Sequence, residues 1–166
     1  MIDISGAAAG RFNSEFLLSD FATYGSMLLM GLIAGTFLPF VPASSELFLV
    51  GLLASRTGQP EALIAAAVVG NVLGGLLNYC AGRYISGLAG KTWFPATAAQ
   101  LDYVGSKFNR YGVWILLLAW LPVVGDVIAV VAGLLRTEIK LFLVLTTIGK
   151  FARYAVIGLG VAWAQS

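Results

Sequence analysis

The chain has 166 residues, 59% of them hydrophobic and 11% charged, with a mean hydropathy of +0.89. Soluble domains carry about a quarter charged residues, so a water-soluble globule is excluded and one integral membrane unit is expected. A net charge of +2 with no basic tract excludes nucleic acid as a partner. With no histidine and a single cysteine, Cys80, no metal site, cofactor or internal disulfide is expected.

Residues 1–13 are small and polar and read as a frayed tail. Residues 1–19 lack the basic start, apolar core and small-residue cleavage site of a signal peptide. An apolar stretch runs from about 15 to 38, and Pro39, Pro42 and Ser44-Ser45 interrupt it before apolar residues resume at 47–54. Proline removes a donor and disfavours helix at the residue before it. Ser44 is a good N-cap, with Glu46 in the first turn behind it. The second helix is too short for roughly 30 Å of hydrocarbon, so a re-entrant hairpin is expected.

Residues 62–85 are long enough to cross. Asn71, Gly75, Asn78 and Gly82 lie four, three and four apart on one helical stripe. Small residues let helix backbones approach in lipid and asparagines can bond across the contact, so a packing seam is favoured over substrate contact. Residues 86–97 form a polar connector. Within 98–111, Leu101, Val104 and Phe108 oppose Asp102, Lys107 and Arg110, an amphipathic helix for the membrane interface. Residues 113–121 and 126–136 repeat the hairpin pattern, and 141–163 form a second crossing with Lys150 and Arg153 near its middle.

The chain repeats itself. Pro42-Ala43-Ser44-Ser45-Glu46 is matched by Pro122-Val123-Val124-Gly125-Asp126, and ten residues after each acid stands an arginine, Arg56 and Arg136. Gly70-Asn71 is matched by Gly149-Lys150, and Phe21-x-x-Tyr24-Gly25 by Phe108-x-x-Tyr111-Gly112. The expected fold is an all-α integral membrane protein, a single domain built as an inverted repeat. Each half, about 15–87 and 98–166, supplies an interfacial helix, a re-entrant helical hairpin and a transmembrane helix. One full crossing separates the hairpins, so they enter from opposite faces and their tips meet near the centre. Six basic residues between Arg83 and Lys140 would place the central segment in the cytoplasm and both termini outside.

Glu46, Asp126, Lys150 and Arg153 then fall at hydrocarbon depth, where a central charge costs about 2.5–3.5 kcal/mol. Four unpaired charges would cost on the order of 10–14 kcal/mol, so they must pair, sit in a wet cavity or lose charge by protonation. In the plainer alternative the acids merely satisfy helix N-termini and the bases neutralise them. In the functional one, two half-helix N-termini aimed at the midplane bind an anion. Arg153 grips phosphate bidentately, Lys150 adds a point charge, and the acids exchange protons as a lipid headgroup arrives and leaves. Arg56, Arg83 and Arg136 read as interfacial: they snorkel to headgroups or gate them. Trp93, Trp120 and Trp163 read as interfacial anchors or packing.

Several of these motifs together resemble the YqaA-type branch of the DedA superfamily, whose shared domain is also called VTT or SNARE-associated. They are Gly70-Asn71-x-x-Gly74-Gly75, Trp120-Leu121-Pro122-Val123-Val124-Gly125-Asp126, Ala132-Gly133-x-x-Arg136 and Gly149-Lys150-x-x-Arg153-Tyr154. The resemblance covers about residues 20–160. It implies a multi-pass bacterial inner membrane protein with two opposed re-entrant hairpins. It also implies lipid transport or scrambling, including undecaprenyl phosphate recycling, with dependence on the proton motive force. Glu46, Asp126 and Arg136 match the family's functional positions. The chain departs from better-studied members, which carry an arginine pair about a Pro-Gly turn where this one has Val123-Val124-Gly125-Asp126.

The expected activity is therefore flippase- or scramblase-like movement of an anionic lipid, phospholipid or polyprenyl phosphate, coupled to protons and without enzymatic chemistry. The alternatives are a lipid-binding membrane assembly factor that moves nothing and, more remotely, an intramembrane aspartyl hydrolase built on Gly125-Asp126. A homo-oligomer is compatible with either.

Overall fold

The computed structural model describes residues 4–36, 44–88, 98–121 and 124–165; for residues 4–18 and several positions within 98–120 the description is of the backbone alone. The expected hairpin turns at 37–43 and 122–123, and the connector 89–97 with Trp93, lie outside the described residues, as does the side chain of Trp120. Among the described residues every regular element is helical: α1 (Ile4–Gly35), α2 (Ser45–Ala54), α3 (Pro60–Ser86), α4 (Ala98–Lys107), α5 (Val124–Leu134) and α6 (Ile139–Ala164). Between α4 and α5 run a π-helical turn, Phe108–Gly112, and a 3₁₀ helix, Val113–Trp120.

Two sequence expectations change at the first helix. Residues 4–13 are helical rather than a frayed tail, and α1 is one unbroken helix of 32 residues with no separate interfacial segment. The reason is local: no proline occurs before Pro39, and Ala7-Ala8-Ala9 favours helix throughout its first turns.

Among the described residues α3 and α6 are the helices long and apolar enough to cross a membrane. They have 27 and 26 residues, against the roughly 20 that a crossing needs. α2 and α5, with 10 and 11 residues, fall short. Ser44 caps α2 as expected, its hydroxyl accepting from the Leu47 N–H at 3.3 Å.

Close glycine contacts set the directions of the helices. Gly31 faces the backbone of Ala67 and Asn71, Gly70 faces Leu28 and Leu32, and Gly74 faces Leu32 and Gly35. The numbers rise together, so α1 runs parallel to α3. Tyr24, on α1, accepts from the Gln59 N–H at the start of α3, whereas Gly35 ends α1 level with Asn71–Asn78, halfway along α3. From there α5 takes over: Gly82 meets Val130 and Leu134, and Gly133 meets Tyr79 and Arg83. α1 and α5 therefore follow one another along α3, joined at Asn78. That residue donates to the Gly35 carbonyl at 2.9 Å and to the Asp126 carboxylate at 3.4 Å.

α6 runs antiparallel to α3, because Lys150 meets Asn71 and Gly158 meets Ile64. α2 lies along the second half of α6, and the 3₁₀ helix also packs on α6. Two apolar cores result. One gathers Met27, Leu49, Leu53, Leu63, Ala67, Val68 and Tyr154; the other gathers Tyr79, Leu116, Ile128, Ala129, Ala132, Phe142 and Leu145. Each combines a short helix with half of α3 and half of α6.

The ends of α2 and α5 are alike in detail. Arg56 and Arg136 both take φ 55°, in the left-handed region. Their N–H groups donate to Leu53 and Gly133, and the following Thr57 and Thr137 donate to Leu52 and Ala132. This is a Schellman end with arginine where glycine is usual.

The tight contacts give a direct test. A Cβ at Gly82 or Gly133 would collide with the backbone of the facing helix, whereas at Gly160 it meets nothing. Gly133→Ala and Gly82→Ala are expected to lower stability by about 1–3 kcal/mol, and Gly160→Ala to leave it unchanged or slightly raised. Thermal unfolding of the purified proteins in detergent measures the difference.

Candidate functional site

Between the two apolar cores lies a polar layer. Ser45, Asn71, Asn78 and Lys150 have exposures of 0%, 7%, 6% and 5%, and all sit where α2, α3, α5 and α6 converge. Buried polar groups in lipid must find partners inside the protein, and these do.

Lys150 projects from the middle of α6 and donates from Nζ to the backbone carbonyl of Asn71. That approach passes the bare backbone of Gly75, where a Cβ would stand 3.1 Å from the ammonium and push it aside by a few tenths of an ångström. Tyr154, one turn further along α6 and 1% exposed, ties two other elements together. Its hydroxyl accepts from Asn71 Nδ2 at 2.9 Å and bonds Ser45 Oγ at 2.7 Å, so α2, α3 and α6 share one oxygen. Beside it, Arg153 Nη2 stands 2.8 Å from Glu46 Oε1, with side-chain exposures of 21% and 25%. Ser44 and Ser45 also donate to the Glu46 carboxylate, at 3.2 and 3.3 Å.

Asp126, in the first turn of α5, takes its hydrogen bond from Asn78, and the charges of Lys150 and Arg153 both act on it. The N-termini of α2 and α5 thus open toward one charged layer, with two acids and two bases. Glu46, Asp126, Lys150 and Arg153, expected to be mutually compensating, are brought together, and Asn71 and Asn78 are their hydrogen-bonding supports.

The three remaining candidate residues, all arginines, lie elsewhere. Arg56 and Arg136 stand at the far ends of α2 and α5, and exposed Arg83 lies near the end of α3. Arg136 donates from Nε to Ser86 Oγ at 3.3 Å and approaches Asp102 at 3.9 Å. Ser45 and Tyr154 complete the site although they were not singled out as site residues from sequence. The available signal was the four-residue step from Lys150 to Tyr154, which puts both on one face of α6.

An all-helical membrane protein with a charged, internally paired layer between two long helices is what these observations define. The VTT domain family profile matches residues 41–162, and the chain belongs to that family as a YqaA-type member of the DedA superfamily. The chain is 34% identical over 134 residues to inner membrane protein YqaA of Escherichia coli (strain K12), covering 80% of this chain and 89% of that protein. The identity and coverage are the same for inner membrane protein YqaA of Shigella flexneri. A Haemophilus influenzae protein is 31% identical over 150 residues, covering 86% of this chain and 92% of its own length. No solved structure matches.

The ion pair has a measurable signature. Removing one partner leaves the other charge poorly solvated, whereas removing both does not. Glu46→Gln and Arg153→Met are each expected to destabilise, and the double variant by less than their sum, with a coupling of about 1–3 kcal/mol. A double-mutant cycle on unfolding in detergent measures it; additive losses would contradict the pairing.

Proposed function

We propose that this protein is a transporter of the bacterial inner membrane that moves the phosphate-bearing headgroup of an anionic lipid through the charged layer, with proton coupling and no enzymatic step. The supporting observation is the 2.8 Å pair of Arg153 with Glu46, next to Lys150, at the N-terminus of α2. Guanidinium, ammonium and helix N-terminal N–H groups are the three kinds of donor that suit phosphate. Glu46 holds Arg153 where a headgroup would, and protonation of that acid frees its base for the incoming headgroup.

In this reading α1 with α2, and the 3₁₀ helix with α5, are re-entrant hairpins that enter from opposite faces as an inverted repeat. Support comes from the end of α1 halfway along α3 and from the antiparallel course of α3 and α6. The inner-membrane location rests on the names of the two YqaA relatives. A hydrolase would need Glu46 and Asp126 to share a proton. Instead Glu46 pairs with Arg153, and Asp126 accepts from Asn78.

Reconstituted liposomes test the reading. Arg153→Ala and Asp126→Asn proteins that remain folded are expected to move labelled anionic phospholipid or polyprenyl phosphate at least roughly ten-fold more slowly, the factor of one charge-assisted hydrogen bond. Rates equal to the parent protein would refute it. Retained lipid binding with no movement in the parent protein, with or without a pH gradient, would instead favour a lipid-binding assembly factor.

The paired left-handed arginines yield a second test. A non-glycine residue in that region costs about 1–2 kcal/mol, so Arg56→Gly and Arg136→Gly should gain about 1 kcal/mol of stability from backbone relief. If the arginines gate headgroups at the two surfaces, the same variants transport more slowly. A stability gain with undiminished transport would remove that role.

A further inference from the structure

Beside Arg153 is a cavity of about 610 Å³, lined by α6 and by Leu117 of the 3₁₀ helix. Gly149 and Ala152 are its small lining residues, and Ile148, Val156 and Ile157 are its larger apolar ones. Residues 148–157 on one helical face give a trough about 14 Å long. Its volume is within the range of small-molecule sites, about 300–1,000 Å³. Arg153 is its charged lining residue and is the same arginine that pairs with Glu46.

We infer that this trough holds a hydrocarbon chain of a phosphate-bearing lipid, with the phosphate seated on Arg153 in place of, or beside, the Glu46 carboxylate. The inference rests on the proposed lipid-headgroup function and adds to it a place for the tail. Charge complementarity selects the occupant. An apolar trough in a membrane gains little from burying a chain that lipid would bury equally well, so a chain alone is not retained there. A guanidinium at the trough's edge changes that balance, because its five donors form a planar fork that carboxylate and phosphate can share or exchange on. The exposed leucines Leu73 and Leu77 on α3 face outward without such a cation among the residues on their stripe, and they serve as the internal comparison.

The experiment uses the full chain in nanodiscs containing phosphatidylglycerol with a diazirine in one acyl chain. After illumination, adducts are mapped by mass spectrometry, and a diazirine-bearing diacylglycerol with the same chains is the phosphate-free control. Labelling is expected to concentrate on residues 148–157 and Leu117 rather than on Leu73 and Leu77. Phosphatidylglycerol should label the trough roughly ten-fold more than diacylglycerol, the factor of one charge-assisted hydrogen bond. Ala152→Phe, which adds bulk at an exposed lining position and leaves both charges of the ion pair in place, should abolish the excess. Even labelling of the α3 and α6 faces by both probes, with Arg153-dependent transport intact, overturns the tail site alone. Trough labelling by diacylglycerol equal to that by phosphatidylglycerol overturns the phosphate seat, and the headgroup reading with it.

Discussion

The structure depends on a lysine held where water is scarce. Lys150 is 5% exposed, and its ammonium reaches a helix carbonyl past the bare backbone of Gly75. A charge at that depth is tolerable only when everything around it is arranged to receive it. Hence the polar layer is continuous: Asn71 bridges Lys150 and Tyr154, Tyr154 holds Ser45, and Ser45 donates to Glu46, which pairs with Arg153. Two of these links join α3 to α6 and two join α2 to α6, so satisfying the charges also fixes where α2 begins against α6.

The apolar packing serves the same end. Glycines on α1, α3 and α5 bring backbones into direct contact, the type of association that remains when lipid removes the hydrophobic drive between helices. α1 and α5 share α3 by halves, and Asn78 bonds both at the joint. The layer of charge therefore sits between two separate apolar cores rather than at the edge of one.

Much of this was legible from residue order because strong local rules applied. The serine N-cap at Ser44, the buried stripe Asn71, Gly75, Asn78 and Gly82, and the gathering of the charges set in apolar runs are each found as expected. Other features were not legible. Which acid takes which base depends on helix register across the contact, and sequence spacing within one helix does not report it. The helical start of α1 at Ile4 was hidden because Gly6 and Gly10 disfavour helix on either side of the Ala7-Ala8-Ala9 that favours it. Arg56 and Arg136 were recognised as a repeated pair, but nothing in an arginine announces a left-handed backbone. Tyr154 stood in the sequence only as the end of the Gly149-Lys150-x-x-Arg153-Tyr154 motif, and its contact with Ser45 depends on where α2 packs.

Membrane depth at the starts of α2 and α5 tests the central claim most directly. Leu47 and Val127 are exposed there, and replacing Cys80 with serine leaves each available for a single spin label. Collisional relaxation by oxygen and by a water-soluble nickel complex then gives the depth of each label in a bilayer. Both labels should lie in the central third of the hydrocarbon, within about 5 Å of the midplane. Either label at the headgroups, about 15 Å from the centre, would contradict a charged layer held in the middle of the membrane.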